Sequence, residues 1–136
     1  MNRLTSCALL TLGAALSQMS YAIDGKAELP TSPPGDAAKG AALYQAKCVA
    51  CHSADYNGVG PSHRGVFGRA AAQAAGFSAY SPALKKSGLI WSAQSLDRWL
   101  NDPEKLVPGQ RMGVSVADAT ERAHLIAYLQ SLGPSR

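Results

Sequence analysis

Residues 48–52 read Cys-Val-Ala-Cys-His, and nothing else in the chain limits its fold as severely. Two thiols lie three positions apart with an imidazole directly behind the second, and the only other cysteine is Cys7. A thioredoxin-like redox pair needs this spacing within a β-α-β pattern, and no strand pattern competes anywhere in the sequence. A zinc site needs about four nitrogen or sulfur ligands. Beyond Cys7, only Cys48, Cys51, His52, His63 and His124 could supply them, with no second Cys-x-x-Cys. A disulfide between Cys48 and Cys51 suits an oxidising compartment but leaves His52 unexplained. Cys-x-x-Cys-His is the attachment signature of a c-type haem. Each thiol adds to one porphyrin vinyl group, and the histidine that follows is placed to become the proximal iron ligand. One such motif implies one haem c, covalent through Cys48 and Cys51, with His52 on the metal.

The amino terminus agrees with that chemistry. Asn2 and Arg3 precede an apolar run, Leu4 to Leu16, and Ser20-Tyr21-Ala22 offers a small-x-small cleavage site. Residues 1–22 therefore read as a signal peptide. The run is shorter than the ~20 residues a spanning helix needs, so no stable membrane span is expected after cleavage; a retained anchor is the alternative. Because c-type haem is attached outside the cytoplasm, the signal and the motif together place the protein in the periplasm. The full chain of 136 residues carries a formal charge of +4, and residues 1–22 hold Arg3 but no acid, so the mature chain stands near +3. No cluster of lysines and arginines interleaves with aromatics, so nucleic acid is not expected. A mild positive charge suits steering toward acidic protein surfaces. One small domain has a marginal core without help, and a bound cofactor can supply part of it.

Residues 23–35 are rich in Pro, Gly and Ser and read as a flexible leader, leaving 36–134 as the domain. Asp36 caps a first helix. Gly40, Tyr44 and Cys48 fall on one face of it. Residues 53–80 show no sustained period and read as a long loop around a non-protein core. Ser81-Pro82 starts a short helix through Lys86. Ser92 or Ser95 caps another, with Leu96, Trp99 and Leu100 inward and Pro103 as its stop. Residues 106–112 read as extended or turning. Asp118 and Glu121 open the last helix in the manner of a capping box. Leu125, Tyr128, Leu129 and Leu132 form its apolar stripe, and Gly133-Pro134 end it. The fold expected is all-α: three to five helices wrapped around one covalently bound haem.

The second axial ligand has three candidates. His124 sits mid-helix, away from Leu125 and Leu129, and reads as a surface residue. His63 is only eleven positions past His52, in a Ser-His-Arg-Gly stretch that reads as solvated loop. Met112 follows the Pro108-Gly109 turn, sixty positions past His52, far enough along for its loop to reach the other face of a haem. Its polar neighbours Gln110 and Arg111 argue against simple core filling.

From about Gly35 to Leu132 the chain resembles class I cytochrome c, in the branch of mitochondrial cytochrome c and related bacterial periplasmic cytochromes. The stretches that carry the resemblance are GDAAKGAALYQAKCVACH, GVGPSHRGVFGR, GFSAYSPALKKSGLIW, DPEKLVPGQRM and TERAHLIAYLQSL, in the family's order. The resemblance implies that Cys48 and Cys51 are the thioether sites and that His52 and Met112 are the iron ligands. It implies further that the Pro61 carbonyl accepts a hydrogen bond from His52, that Trp91 donates to a haem propionate, and that Arg69 and Tyr80 surround the propionates. Gly40 and Tyr44, with Leu125 and Tyr128, match the crossing of first and last helices. Trp99 stands where family members often have tyrosine, near the methionine. An indole donates only through its nitrogen, so the bond a phenol offers the sulfur does not carry over by resemblance. His63 stands where an apolar residue is frequent. Val114 replaces an aromatic two positions past the ligand, which implies a less covered and more exchangeable Met112.

With both axial positions filled the iron gains and loses an electron without binding substrate, so the expected role is a soluble one-electron carrier, not an enzyme. It would be a monomer shuttling between respiratory or periplasmic redox partners with acidic docking surfaces. Lys47, Lys85, Lys86, Arg69, Lys105 and Arg111 are candidates for a basic ring near the haem edge. Two alternatives share the motif: a haem subunit of a periplasmic dehydrogenase complex, and a haem enzyme or gas sensor should Met112 leave the iron.

Overall fold

A computed structural model describes residues 34–134. The expected signal peptide and nearly all of the leader lie outside the described residues. Five helices follow one another: α1 (Ala37–Lys47), α2 (Pro82–Lys86), α3 (Ala93–Asn101), α4 (Pro103–Leu106) and α5 (Ala119–Ser131). Among the described residues the only β pairing is an isolated antiparallel bridge between Ala70 and Ile90. The fold is all-α, as the pattern of caps and periods implied.

Each helix starts at a side chain that satisfies free amide donors. Asp36 accepts from the amides of Ala38 and Lys39 at 2.9 and 3.1 Å. The amides next to its carboxylate hold the Asp36 carboxyl below its usual range. Ser81 accepts from Leu84, and Ser92 and Ser95 cap each other's backbone reciprocally at the start of α3. Asp118 accepts from Glu121 at 2.8 Å. The Glu121 side chain does not return to the cap; it pairs with Lys47 of α1 at 3.3 Å.

α3 ends at Asn101, just before Pro103, as expected, but Pro103 also opens a new turn. Asp102 ends α3 and caps α4, accepting from Lys105 at 2.9 Å. Proline's missing N–H costs nothing at a first helical position.

The frame is the crossing of α1 and α5. A β-carbon on Gly40 would lie 2.0 Å from the His124 carbonyl oxygen, so only glycine allows the two backbones to approach this closely. Gly35 makes the same approach to Ala123, before α1 begins. Around the crossing Tyr44 and Leu125 are almost fully buried, and the Tyr44 and Tyr128 rings meet at 5.1 Å. His124 is not an idle surface group: its Nδ1 accepts from the Asp36 amide at 2.8 Å, tying the start of α1 to α5.

α3 buries Leu96, Trp99 and Leu100 on one face. Arg122 of α5, only 8 % exposed, locks α3 and the segment after residue 112 in place. It donates to Asp97 at 2.7 Å, to Asn101 at 3.1 Å, and to the carbonyls of Val116 and Ala117 at 3.0 and 2.7 Å.

The stretch 53–80 holds its shape without a helix. Asn57 accepts from the Ser62 amide and donates to the Ala75 carbonyl, both at 2.9 Å. Arg69 donates to the carbonyls of Arg64 and Ser62, both at 3.0 Å, and the Tyr80 hydroxyl accepts from the Ala74 amide at 3.0 Å. Side chains here satisfy the backbone groups that regular structure would otherwise pair.

Candidate functional site

α1 ends in the motif itself. Cys48 is the C-cap, and its carbonyl accepts from the amides of Cys51 at 3.1 Å and His52 at 2.9 Å. This tight turn presents two thiols and an imidazole along one edge of a cavity of about 400 Å³. That volume lies in the ~300–1,000 Å³ range of cofactor pockets. All nine residues singled out in the sequence line it: Cys48, Cys51, His52, Pro61, Arg69, Tyr80, Trp91, Trp99 and Met112.

The cysteines are free, Cys51 exposed and Cys48 half-buried. Burial pushes the Cys48 thiol up to about 11. A thiol activated for redox attack is characterised by the opposite shift. Among the described residues, no three His, Cys, Asp or Glu side chains converge to hold a metal ion by themselves.

His52 is fixed by its surroundings. Its Nδ1 lies 2.8 Å from the Pro61 carbonyl oxygen. A carbonyl can only accept, so Nδ1 carries the proton and Nε2 keeps its lone pair. Burial lowers the pKa of the ring more than the bond to Pro61 raises it, which keeps Nε2 unprotonated at neutral pH. Gly60 is a functional position the sequence reading passed over: a β-carbon there would come within 2.2 Å of the His52 ring.

Met112 arrives from the far part of the chain. The Trp99 indole N–H donates to its sulfur at 3.2 Å. The indole thus supplies the bond that a phenol would have made. The side-chain oxygen of Gln110 accepts from the Met112 amide. Trp99 in turn meets Trp91 edge to face at 5.2 Å. Replacing Trp99 by phenylalanine keeps the packing and removes the N–H···S bond, worth about 1 kcal/mol. On the Met112 ligation proposed below, added imidazole should displace the sulfur about fivefold more readily in that variant, the factor that ~1 kcal/mol represents, by spectral titration of the oxidised protein; an unchanged affinity would show that the bond does not hold the sulfur.

His63 departs from its expected place. It is not a solvated loop residue but lines the cavity, stacked on the His52 ring at 4.2 Å between centroids and 21° between planes. Burial, with the nearby His52 and Arg69, pushes its pKa down to about 3, so it is neutral.

The residues fit a haem. The walls are largely apolar, and the thiols stand on the rim. Arg69 has a buried Nε with no hydrogen-bond partner among the described residues, on a side chain that lines the cavity. A buried guanidinium N–H without an acceptor is costly, and an anionic propionate supplies one.

The family model for cytochrome c matches residues 37–133. Cytochrome c2 of Rhodopila globiformis is 40% identical over 105 residues, covering 75% of this chain and 98% of that protein. Cytochrome c of Chlamydomonas reinhardtii is 41% identical over 103 residues, covering 73% and 91%. Among solved structures, cytochrome cH from Methylobacterium extorquens superposes with a TM-score of 0.68 at 45% identity, covering 71% of this chain and 99% of that one. Relatives at this identity and coverage share more than a haem-attachment motif; the chain belongs to the cytochrome c family and carries its haem covalently through Cys48 and Cys51.

Proposed function

We propose that this chain is a soluble, monomeric one-electron carrier of the periplasm, with His52 and Met112 as the axial ligands of its haem. The observation that carries the reading is the bonding of these two side chains within one cavity: His52 with its Nε2 lone pair free, Met112 with its sulfur oriented by Trp99. The bound haem supplies a one-electron Fe(III)/Fe(II) couple. The chain does the rest. Pro61 sets the tautomer of His52. The soft thioether and the apolar walls favour the less charged iron and raise the reduction potential. Arg69 balances propionate charge within the fold.

The mouth of the cavity suits brief docking. Val59 and Val114 are exposed, 79% and 43%, and Lys47 and Arg111 line the same opening. A small apolar contact with a basic rim favours fast encounter with an acidic partner over tight binding. Among the described residues, no carboxylate lines the cavity.

Rapid mixing tests the proposal. The reduced protein should not bind carbon monoxide, and its oxidation by an anionic reagent such as hexacyanoferrate(III) should slow as salt is added. Fast carbon monoxide binding, or turnover of peroxide, would instead make it an open-iron haem protein.

A further inference from the structure

Tyr44 and His63 form a polar pair inside packing that is otherwise mostly apolar. Tyr44 is 2 % exposed and stands on α1, one turn before the first motif cysteine. Its hydroxyl and the Nδ1 of His63 are hydrogen-bonded at 3.1 Å, and the two rings meet edge to face at 5.6 Å. The His63 backbone is pinned as well. Its amide donates to the Ser53 carbonyl at 2.9 Å, directly after His52, and its carbonyl accepts from Val66 at 2.9 Å. Neither main chain nor side chain leaves the His63 ring free to turn, and that ring lies stacked on His52.

Once bound to a metal through Nε2, an imidazole keeps one soft degree of freedom: rotation about the metal–nitrogen bond. The hydrogen bond from Nδ1 to Pro61 restrains that rotation through a single atom of the ring edge. A flat group stacked on the ring restrains the whole plane. The plane matters electronically, because it selects which iron d orbital overlaps the imidazole π system. We propose that His63, anchored by Tyr44, is a positioning residue for His52, fixing the ring plane of the proximal ligand. The inference rests on the reading of His52 as that ligand. A polar ring beside the ligand also tolerates the extra charge of Fe(III) better than an aliphatic side chain would, and so lowers the potential relative to an apolar neighbour.

The test uses oxidised holoprotein whose covalent haem has been verified by mass. Proton NMR reads the spread of the haem methyl resonances, which follows the imidazole plane, and voltammetry reads the midpoint potential. H63L removes the stacked ring and should change the methyl spread and raise the potential. Y44F and H63F keep both rings but lose the hydrogen bond, and each should move the spread part of the way. Y44F/H63L should match H63L, and Y44F/H63F should match its single variants, because each pair disables one device. Should H63L fail to mature, the Y44F and H63F cycle alone decides. Unmoved spectra in the His63 variants, a silent Y44F, or effects that add would overturn the proposal. A wild type without haem, or without His52 on the iron, removes the functional reading itself; an intact wild type with unmoved variants removes only this inference.

Discussion

A chain in which Cys48 and Cys51 are both replaced by serine should not fold cooperatively. The thiols attach the haem, and the haem fills a cavity of about 400 Å³ at the centre of the core. Without the haem, the apolar walls of that cavity meet water, and apolar area left wet forfeits roughly 25 cal/mol per Å². The whole stability of a domain is about 5–15 kcal/mol, so no comfortable margin survives. The expected product retains part of its far-ultraviolet helical signal, from α1 and α5, but loses near-ultraviolet signal and binds a hydrophobic dye. Circular dichroism with a thermal scan checks it: a broad, featureless transition agrees, whereas a sharp melt near that of the holoprotein would show that the protein core stands without the cofactor.

The second large effect is expected at Met112. On the proposed ligation, replacing it by alanine leaves the His52–Pro61 bond intact and opens one axial position. The reduced variant should bind carbon monoxide, and the oxidised one should lose the weak far-red charge-transfer band of a sulfur-ligated haem. Its potential should fall by on the order of a few tenths of a volt, within the ~0.8 V range that axial ligands command. Spectral titration and voltammetry read both changes. A variant with unchanged potential and no carbon monoxide adduct would place another side chain on the iron.

The parts of this molecule governed by local rules were legible in the sequence. α1, α3 and α5 each combine a capping side chain with an apolar stripe, and the haem motif is a contiguous pentapeptide. α4 was not legible, because Pro103 reads as a stop until Asp102 is seen to cap the next turn. His63 was misplaced for a different reason. Its immediate neighbours are polar, but its environment is set by Tyr44 on α1 and by the Ser53 carbonyl. Nothing local to residues 62–65 reports either. Gly60 and Arg122 also escaped, since their roles depend on the His52 ring and on the carbonyls of Val116 and Ala117. Trp99 was only partly legible: its residue type did not guarantee a donor to Met112, yet the indole nitrogen reaches the sulfur at 3.2 Å.

Ring current offers the most direct measurement of the central claim. A methyl group held on an axial sulfur lies over the porphyrin face and resonates far upfield of any ordinary methionine in the reduced, diamagnetic protein. With methionine carrying a labelled methyl, one strongly upfield resonance is expected, and it should disappear in M112A. A Met112 methyl at an ordinary chemical shift, in a protein that still carries its covalent haem, would contradict it.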